Sequence, residues 1–302
     1  MGIPAHFYFY WSGEGFSFLN HLSVHSLLRK TPGATCEVHF DVEPSSSNRH
    51  WSRLRNTPGV SLCRIDFPRL LQDAGADGSA WAQLGPAMIE THKSDLFRYL
   101  VLFSRGGVYA DLDVLFLKDF SPLLRHDFFV GFQITTQYPR LLNTAVFGAR
   151  PGLPVVETAL GKVLGLLQEG RKLEWGDLGP DLMTNVLVKD CLRNRALVRC
   201  ARRAHKLRLG RTIADDLLCR FVRKNHDVAI LHRDCFYYRS WLAGEWEQIF
   251  DGTSPPANAY AVHLWHKESA GVMDAIDETN FRKKISNPAL LALCENFMAN
   301  HS

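Results

Sequence analysis

Residues 86–117 carry the strongest constraint in the chain. From residue 86 to 104 the apolar side chains Met88, Ile89, Leu96, Tyr99, Leu100 and Phe103 recur at helical spacing. The pattern stops at Arg105-Gly106-Gly107, where two glycines predict a left-handed C-terminal cap and a tight return. Val108-Tyr109-Ala110 then reads as a short strand and residues 114–117 as a further apolar run, with Asp111-Leu112-Asp113 between them. In an extended chain residues i and i+2 project to one side, so Asp111 and Asp113 are expected to point together. Two such carboxylates repel unless a cation lies between them. Hard oxygen donors suit Mg²⁺ or Mn²⁺, which in turn bridge a diphosphate. A bare D-x-D is common by chance, and its plain alternative is two exposed turn carboxylates. The apolar segments on both sides favour the cation, because burying an acidic pair without a partner is costly.

Asp95 and Arg98 stand at i and i+3 on the preceding helix, with Tyr99 beside them. They read as a surface ion pair worth a few tenths of a kcal/mol. They also read as Arg98 meeting a diphosphate while Asp95 accepts hydroxyls from a ribose or sugar. Spacing alone favours the surface pair.

The first ~65 residues read strand, helix, strand, helix, strand, the pattern of a parallel sheet with helices packed on it. The strands are 6–11, 36–42 and 60–65, the last closed by Phe67-Pro68; the first helix is 16–30, and residues 44–48 form a polar loop able to cap a short helix. Later strands are expected at 128–133, 144–147, 228–232 and 259–265. Helices are expected at 154–167, from Gly179-Pro180 to about 192, and at 288–298. One α/β domain over residues 1–302, with a helical elaboration at roughly 150–220, accounts for this order.

Composition narrows the partners. The chain has 302 residues, enough for a substantial core. Thirty-five Lys and Arg against 31 Asp and Glu leave a net +4, too little to argue for nucleic acid. The Arg-rich stretch 193–211 reads as a solvated helix face. No run of about 18 apolar residues is present, so no membrane-spanning segment is expected. Neither a signal peptide nor a myristoylation signal is legible at the N-terminus. Seven scattered cysteines without a C-x-x-C pair argue against a structural zinc site or redox motif and for free thiols in a reducing compartment. The expectation is a soluble, cytoplasmic protein.

The segment Ser94-Asp95-Leu96-Phe97-Arg98-Tyr99 through Gly106-Gly107-Val108-Tyr109-Ala110-Asp111-Leu112-Asp113 resembles the signature of the DXD-containing glycosyltransferases. That group includes α-1,6-mannosyltransferases, clostridial glucosylating toxins, and α-1,4-galactosyl- and α-1,4-N-acetylglucosaminyltransferases. The start of the chain, with an aromatic strand ending in Trp11, is similar to the opening of the same domain. So are Leu142-Asn143-Thr144-Ala145-Val146, Gly179-Pro180-Asp181-Leu182-Met183-Thr184 and Tyr260-Ala261-Val262-His263-Leu264-Trp265-His266-Lys267 to later segments of it. The last of these resembles the α-1,4-transferases in particular.

The resemblance implies a GT-A fold: one Rossmann-like mixed-sheet domain that binds a nucleotide sugar and a divalent cation, Mn²⁺ or Mg²⁺, and retains anomeric configuration. Trp11 would stack on uracil. Asp95, Arg98 and Tyr99 would hold ribose, sugar or diphosphate. Asp111 would contact the sugar-nucleotide and the metal, and Asp113 would be a direct ligand. His263 is the candidate third ligand, against its plain reading as a satisfied structural imidazole. Lys267 would neutralise the departing β-phosphate. Asn143 and Asp181 occupy positions able to face sugar or acceptor, although Asp181 reads more simply as the cap of the helix that starts there. Trp241 or Trp246 offers a sugar platform, with core packing the default for both.

The expected activity is transfer of a hexose or N-acetylhexosamine from a UDP-sugar to a glycan, glycolipid or protein. The alternatives are a catalytically inactive GT-A-like binding or scaffold protein and a metal-dependent phosphohydrolase. Golgi members of the group carry an N-terminal anchor, which this sequence does not show. A bacterial effector delivered into a host and a domain written without its anchor both fit the same residues.

Overall fold

The structure is a computed structural model and describes residues 2–133, 141–170, 172–192 and 228–301. The Arg-rich stretch 193–211 and the later part of the expected helical elaboration lie outside the described residues. The fold is α/β, as expected, and the chain divides into two compact units, each drawing on separated stretches. One unit takes residues 1–4, 66–109 and 123–233; the other takes 5–65, 110–122 and 234–302.

The second unit is built on three parallel strands, β1 (His6–Trp11), β2 (Thr35–Phe40) and β3 (Val60–Arg64), in the order β3-β2-β1. Phe7 and Phe9 on β1 are fully buried, and both meet Phe116 edge to face. Helix α1 (Phe18–Lys30) starts on a capping box in which Ser17 and Asn20 satisfy each other's orphan N–H groups. Helix α2 (Arg49–Arg55) is capped by Asn48, whose side chain accepts from His50 and Trp51, as the polar loop predicted. A separate two-stranded antiparallel sheet joins β5 (Val114–Phe116) to β9 (Ala261–His263).

The first unit carries β4 (Gly107–Ala110), β6 (Phe128–Phe132), β7 (Leu142–Ala149) and β8 (Ala229–Leu231), ordered β4-β7-β6-β8. Strand β6 runs antiparallel to β7 and parallel to β8. Helices α3 (Phe67–Asp73), α4 (Trp81–Leu84), α5 (Glu90–Ser104), α6 (Pro154–Gln168) and α7 (Pro180–Leu192) complete it.

Three boundaries differ from the sequence reading. Phe67-Pro68 opens α3 instead of merely closing β3: Asp66 caps the helix and proline sits in its first turn, where no donor is lost. Helix α5 begins at Glu90, because Gly85–Ala87 forms a short 3₁₀ turn before it. Its end is as predicted: the Arg105 and Gly106 N–H groups bond to Val101 and Leu102, and Gly106 has φ +67°. A Cβ on Gly106 would also lie 2.5 Å from Pro151 Cδ, so both backbone and space demand glycine there. The third difference lies at the D-L-D segment.

The candidate metal centre

Residues 111–113 form a turn, not the extended segment expected, with the Val114 N–H bonded to the Asp111 carbonyl at 3.1 Å. The physical reason is that β5 pairs with β9 in its own small sheet, so the chain bends between Ala110 and Val114. The two carboxylates are brought together by that turn and not by strand alternation.

Buried polar side chains of α1, and of Thr31 that caps its end, hold the segment in place. Asn20 donates to the Leu112 carbonyl at 3.2 Å and Ser23 to the Val114 carbonyl at 2.6 Å. The Phe116 N–H donates to Ser26 Oγ at 2.9 Å and the Phe120 N–H to Thr31 Oγ1 at 3.2 Å. Strand β5 is only three residues long and pairs with β9. The helix side chains serve further backbone groups of residues 112–120 that water cannot reach. Replacing Ser26 with Ala removes the acceptor of a buried N–H and is expected to cost about 1–3 kcal/mol; urea denaturation of Ser26→Ala beside wild type measures it.

On the other edge, Val114 lies opposite His263, and the Leu264 N–H donates to the Asp113 carbonyl at 2.8 Å. This register sets His263 Nε2 3.1 Å from Asp113 Oδ2. Trp265 follows with φ 58° and ψ 55°, the one positive φ outside glycine among the described residues. Backbone strain of this kind survives only where its surroundings enforce it. The Trp265 indole donates to the Arg239 carbonyl at 2.9 Å and its ring lies 4.2 Å from His263 and 5.4 Å from Trp241. The reversal starts helix α9 (His266–Met273; Gln248–Asp251 is α8) and turns the His266 N–H onto Asp113 Oδ2 at 2.7 Å. Asp113 thus supplies the cap that Trp265 lacks.

Asp111, Asp113 and His263 each offer a ligand atom within 4.8 Å of the others. Burial would push the Asp113 carboxyl up, but the His263 charge and hydrogen bond and the His266 N–H outweigh it and hold it low. Burial likewise opposes charge on His263, and Asp113, with help from Asp111 and Glu268, raises it above its ordinary value. His263 Nδ1 is buried with no hydrogen-bond partner. Two carboxylates and an imidazole make an oxygen-rich set with one nitrogen, which fits Mn²⁺ or Mg²⁺ and leaves coordination positions for a substrate oxygen.

Two further candidates share this unit. Trp11 closes β1 half-buried, donating to the Gly13 carbonyl at 2.9 Å and meeting Phe16 edge to face. Lys267 is exposed in the first turn of α9.

The remaining candidates lie in the other unit. Asp95 and Arg98 are 2% and 5% exposed, so they form a buried pair, 3.3 Å apart, and not the surface pair that spacing favoured. The correction has a physical cause: the helix face carrying them is packed under β7. Arg98 Nη1 donates to the Thr144 carbonyl at 2.8 Å and to Thr144 Oγ1 at 2.9 Å, and Nη2 donates to Ser94 Oγ at 2.8 Å. Its guanidinium lies 4.4 Å from the centre of the Tyr109 ring, whose hydroxyl bonds Ser94. Tyr99 is fully buried against Phe147, and burial pushes its phenol well above the ordinary range. Asn143 is buried too, donating to Gln133 and accepting from the Ala145 N–H at 2.7 Å.

Asp181 sits one residue inside α7, in the first turn, and does not occupy the cap position expected of it; a carboxylate there complements the helix dipole. Its neighbours in the motif have packing roles that the sequence did not disclose. A Cβ on Gly179 would stand 2.7 Å from Asp95 Oδ1 and 3.2 Å from Thr144 Oγ1, and Thr184 Oγ1 accepts the Leu141 and Leu142 N–H groups. Gly179→Ala is therefore expected to destabilise by about 1–3 kcal/mol through overpacking; thermal unfolding with an unchanged or raised midpoint would refute this.

Residues 23–130 match the family described as glycosyltransferase sugar-binding region containing DXD motif. Human alpha-1,4-N-acetylglucosaminyltransferase is 27% identical over 237 residues, 75% of this chain and 59% of that protein. Human lactosylceramide 4-alpha-galactosyltransferase is 25% identical over 273 residues, 84% of this chain and 66% of that protein. The chain thus spans less than two thirds of the length of these relatives. Among solved structures, the PaToxG glycosyltransferase aligns with a TM-score of 0.49 at 17% identity, covering 74% of this chain and 79% of that one. No helix among the described residues is long and apolar enough to cross a membrane. The matched region contains the whole of α5 and the D-L-D turn, so this stretch of the chain is similar to the DXD-motif glycosyltransferases.

Proposed function

We propose that the chain is a retaining glycosyltransferase that moves a hexose or N-acetylhexosamine from a UDP-sugar to a glycan, glycolipid or protein acceptor, with Mn²⁺ or Mg²⁺ as cofactor. The observation that carries the proposal is the convergence of Asp111, Asp113 and His263 within 4.8 Å, next to a region matching DXD-motif transferases. The similarity to an α-1,4-N-acetylglucosaminyltransferase and a 4-α-galactosyltransferase supports the sugar class.

Asp111, Asp113 and His263 would hold the cation, which when bound supplies Lewis-acid stabilisation of the leaving diphosphate. Asp113 keeps its charge through His263 and the His266 N–H, so a strong donor is ready at neutral pH. Lys267, exposed at the start of α9, is assigned the neutralisation of the β-phosphate, and Trp11 the stacking of uracil. Asp95, Arg98, Tyr99, Asn143 and Asp181 remain assigned to the donor or acceptor side. The buried hydrogen bonds of Arg98 and Asn143 support positioning roles for these two. Trp241, half-buried beside Trp265, extends an aromatic wall suited to a sugar face.

Calorimetric titration of UDP into the protein, with Mn²⁺ and then with chelator, tests the reading. Binding that requires the cation supports it. Absence of binding under both conditions overturns the UDP-dependent reading in favour of an inactive scaffold. Phosphate release from UDP would instead indicate a phosphohydrolase.

A further inference from the structure

A second cluster of metal-binding side chains lies on the β1-β2-β3 sheet, on chain segments that the D-L-D turn does not use. Glu37, His39 and Cys63 each present a ligand atom within 4.8 Å of the others. Register explains the grouping. His39 and Cys63 are direct partners across the parallel β2–β3 pair, and Glu37 stands two residues before His39 on the same face. His39 Nε2 donates to Glu37 Oε2 at 2.7 Å. From β1, His6 places Nε2 3.5 Å from the other oxygen, Glu37 Oε1, while its Nδ1 meets Thr35 Oγ1 at 2.7 Å. Tyr8, buried, closes one side with its ring 4.8 Å from His6 and 6.3 Å from His39. Glu37 and Cys63 are only partly buried, so an ion has access. The hydrogen bonds from His39 and His6 hold the Glu37 carboxyl well below the usual range, keeping it anionic.

We infer that Glu37, His39 and Cys63 form a zinc site, with His6 bracing the second oxygen of Glu37, Oε1. The donor set decides the metal. Thiolate with imidazole selects Zn²⁺ over the hard cations that suit two carboxylates and one imidazole. Ligand atoms on a tetrahedral Zn²⁺, with bonds of about 2.0–2.3 Å, stand roughly 3.3–3.5 Å apart, so small side-chain rotations that open the 2.7 Å His39–Glu37 contact and draw in Cys63 suffice. Three protein ligands leave the fourth position to water. His6 then acts as the outer partner that fixes the orientation of a ligating carboxylate. Binding displaces the Cys63 thiol proton, so occupancy rises with pH. Because β3 is the last strand in the order β3-β2-β1, the ion ties an edge strand to its neighbour.

Titration of the full chain with Co²⁺ as the zinc surrogate tests this site separately from the D-L-D turn, whose oxygen and nitrogen donors give no thiolate band. The expected result is a thiolate-to-cobalt charge-transfer absorption saturating at one equivalent, abolished in Cys63→Ser, retained in Asp113→Asn and displaced by Zn²⁺. The thermal midpoint of wild type should rise with Zn²⁺ in a way that His39→Ala loses. Circular dichroism of metal-free Cys63→Ser reports whether the variant folds, and His39→Ala gives an independent arm if it does not. A missing charge-transfer band, or one that survives in Cys63→Ser, overturns the proposal.

Discussion

Asp113→Asn should bind UDP in the presence of Mn²⁺ no better than wild type does with chelator, and its transfer rate should fall by about 10³-fold or more. A ligand that supports Lewis-acid stabilisation carries several kcal/mol of the barrier, and each 1.4 kcal/mol is about tenfold. Asparagine is the informative substitution. Its side-chain oxygen can still accept the His266 N–H that Asp113 holds at 2.7 Å, so the start of α9 keeps its cap while the charge is lost. Folding should therefore persist, and a loss of cation-dependent binding reports the site itself. His263→Ala should weaken Mn²⁺ binding in the same direction, and measuring both variants by calorimetry separates the carboxylate from the imidazole. Unchanged Mn²⁺-dependent UDP affinity in Asp113→Asn would sink the assignment.

Arg98→Ala should destabilise the protein by about 3–5 kcal/mol, read from urea unfolding, because it leaves the 2%-exposed Asp95 carboxylate without its cation. Arg98→Lys should recover little of this loss. Lysine has no planar fork to reach Ser94 and Thr144 at once, nor a flat cation to lay on Tyr109. The double variant Asp95→Leu, Arg98→Met removes both charges and should be less destabilised than either charge deletion alone. An Arg98→Ala protein with wild-type stability but no UDP binding would show instead that the guanidinium serves the substrate directly.

The sequence made some of this legible through local rules. Two glycines after a periodic helix gave the end of α5, the polar loop ending at Asn48 marked one helix start, and the D-L-D triplet gave two donors of the candidate centre, with His263 added by the family resemblance. What it hid depends on partners remote in the chain. The bend at 111–113 follows from β5 pairing with β9, and no local pattern encodes that. Asn20, Ser23, Ser26 and Thr31 face the interior because they serve a backbone more than eighty residues away. An apolar-periodicity reading passes over them. Arg98 was misplaced on the surface because charge spacing says nothing about what packs above it. The reversal at Trp265, and with it α9, needs a positive φ that sequence statistics reserve for glycine. The Glu37, His39 and Cys63 cluster escapes spacing rules because strand register, not a C-x-x-C motif, assembles it.

Asp113 and His266 are 153 residues apart in sequence, and three residue pairs of antiparallel sheet hold their segments together. Closing so long a loop costs entropy before any contact repays it, so this pairing belongs among the last events of folding. On a ribosome releasing about 5–20 residues per second, the D-L-D segment would emerge many seconds before residues 261–266. Throughout that interval the two carboxylates would face each other without imidazole, cap or opposing strand. The candidate centre is thus complete only once residues 261–266 are made, and a product terminated before them would display the motif while lacking the imidazole.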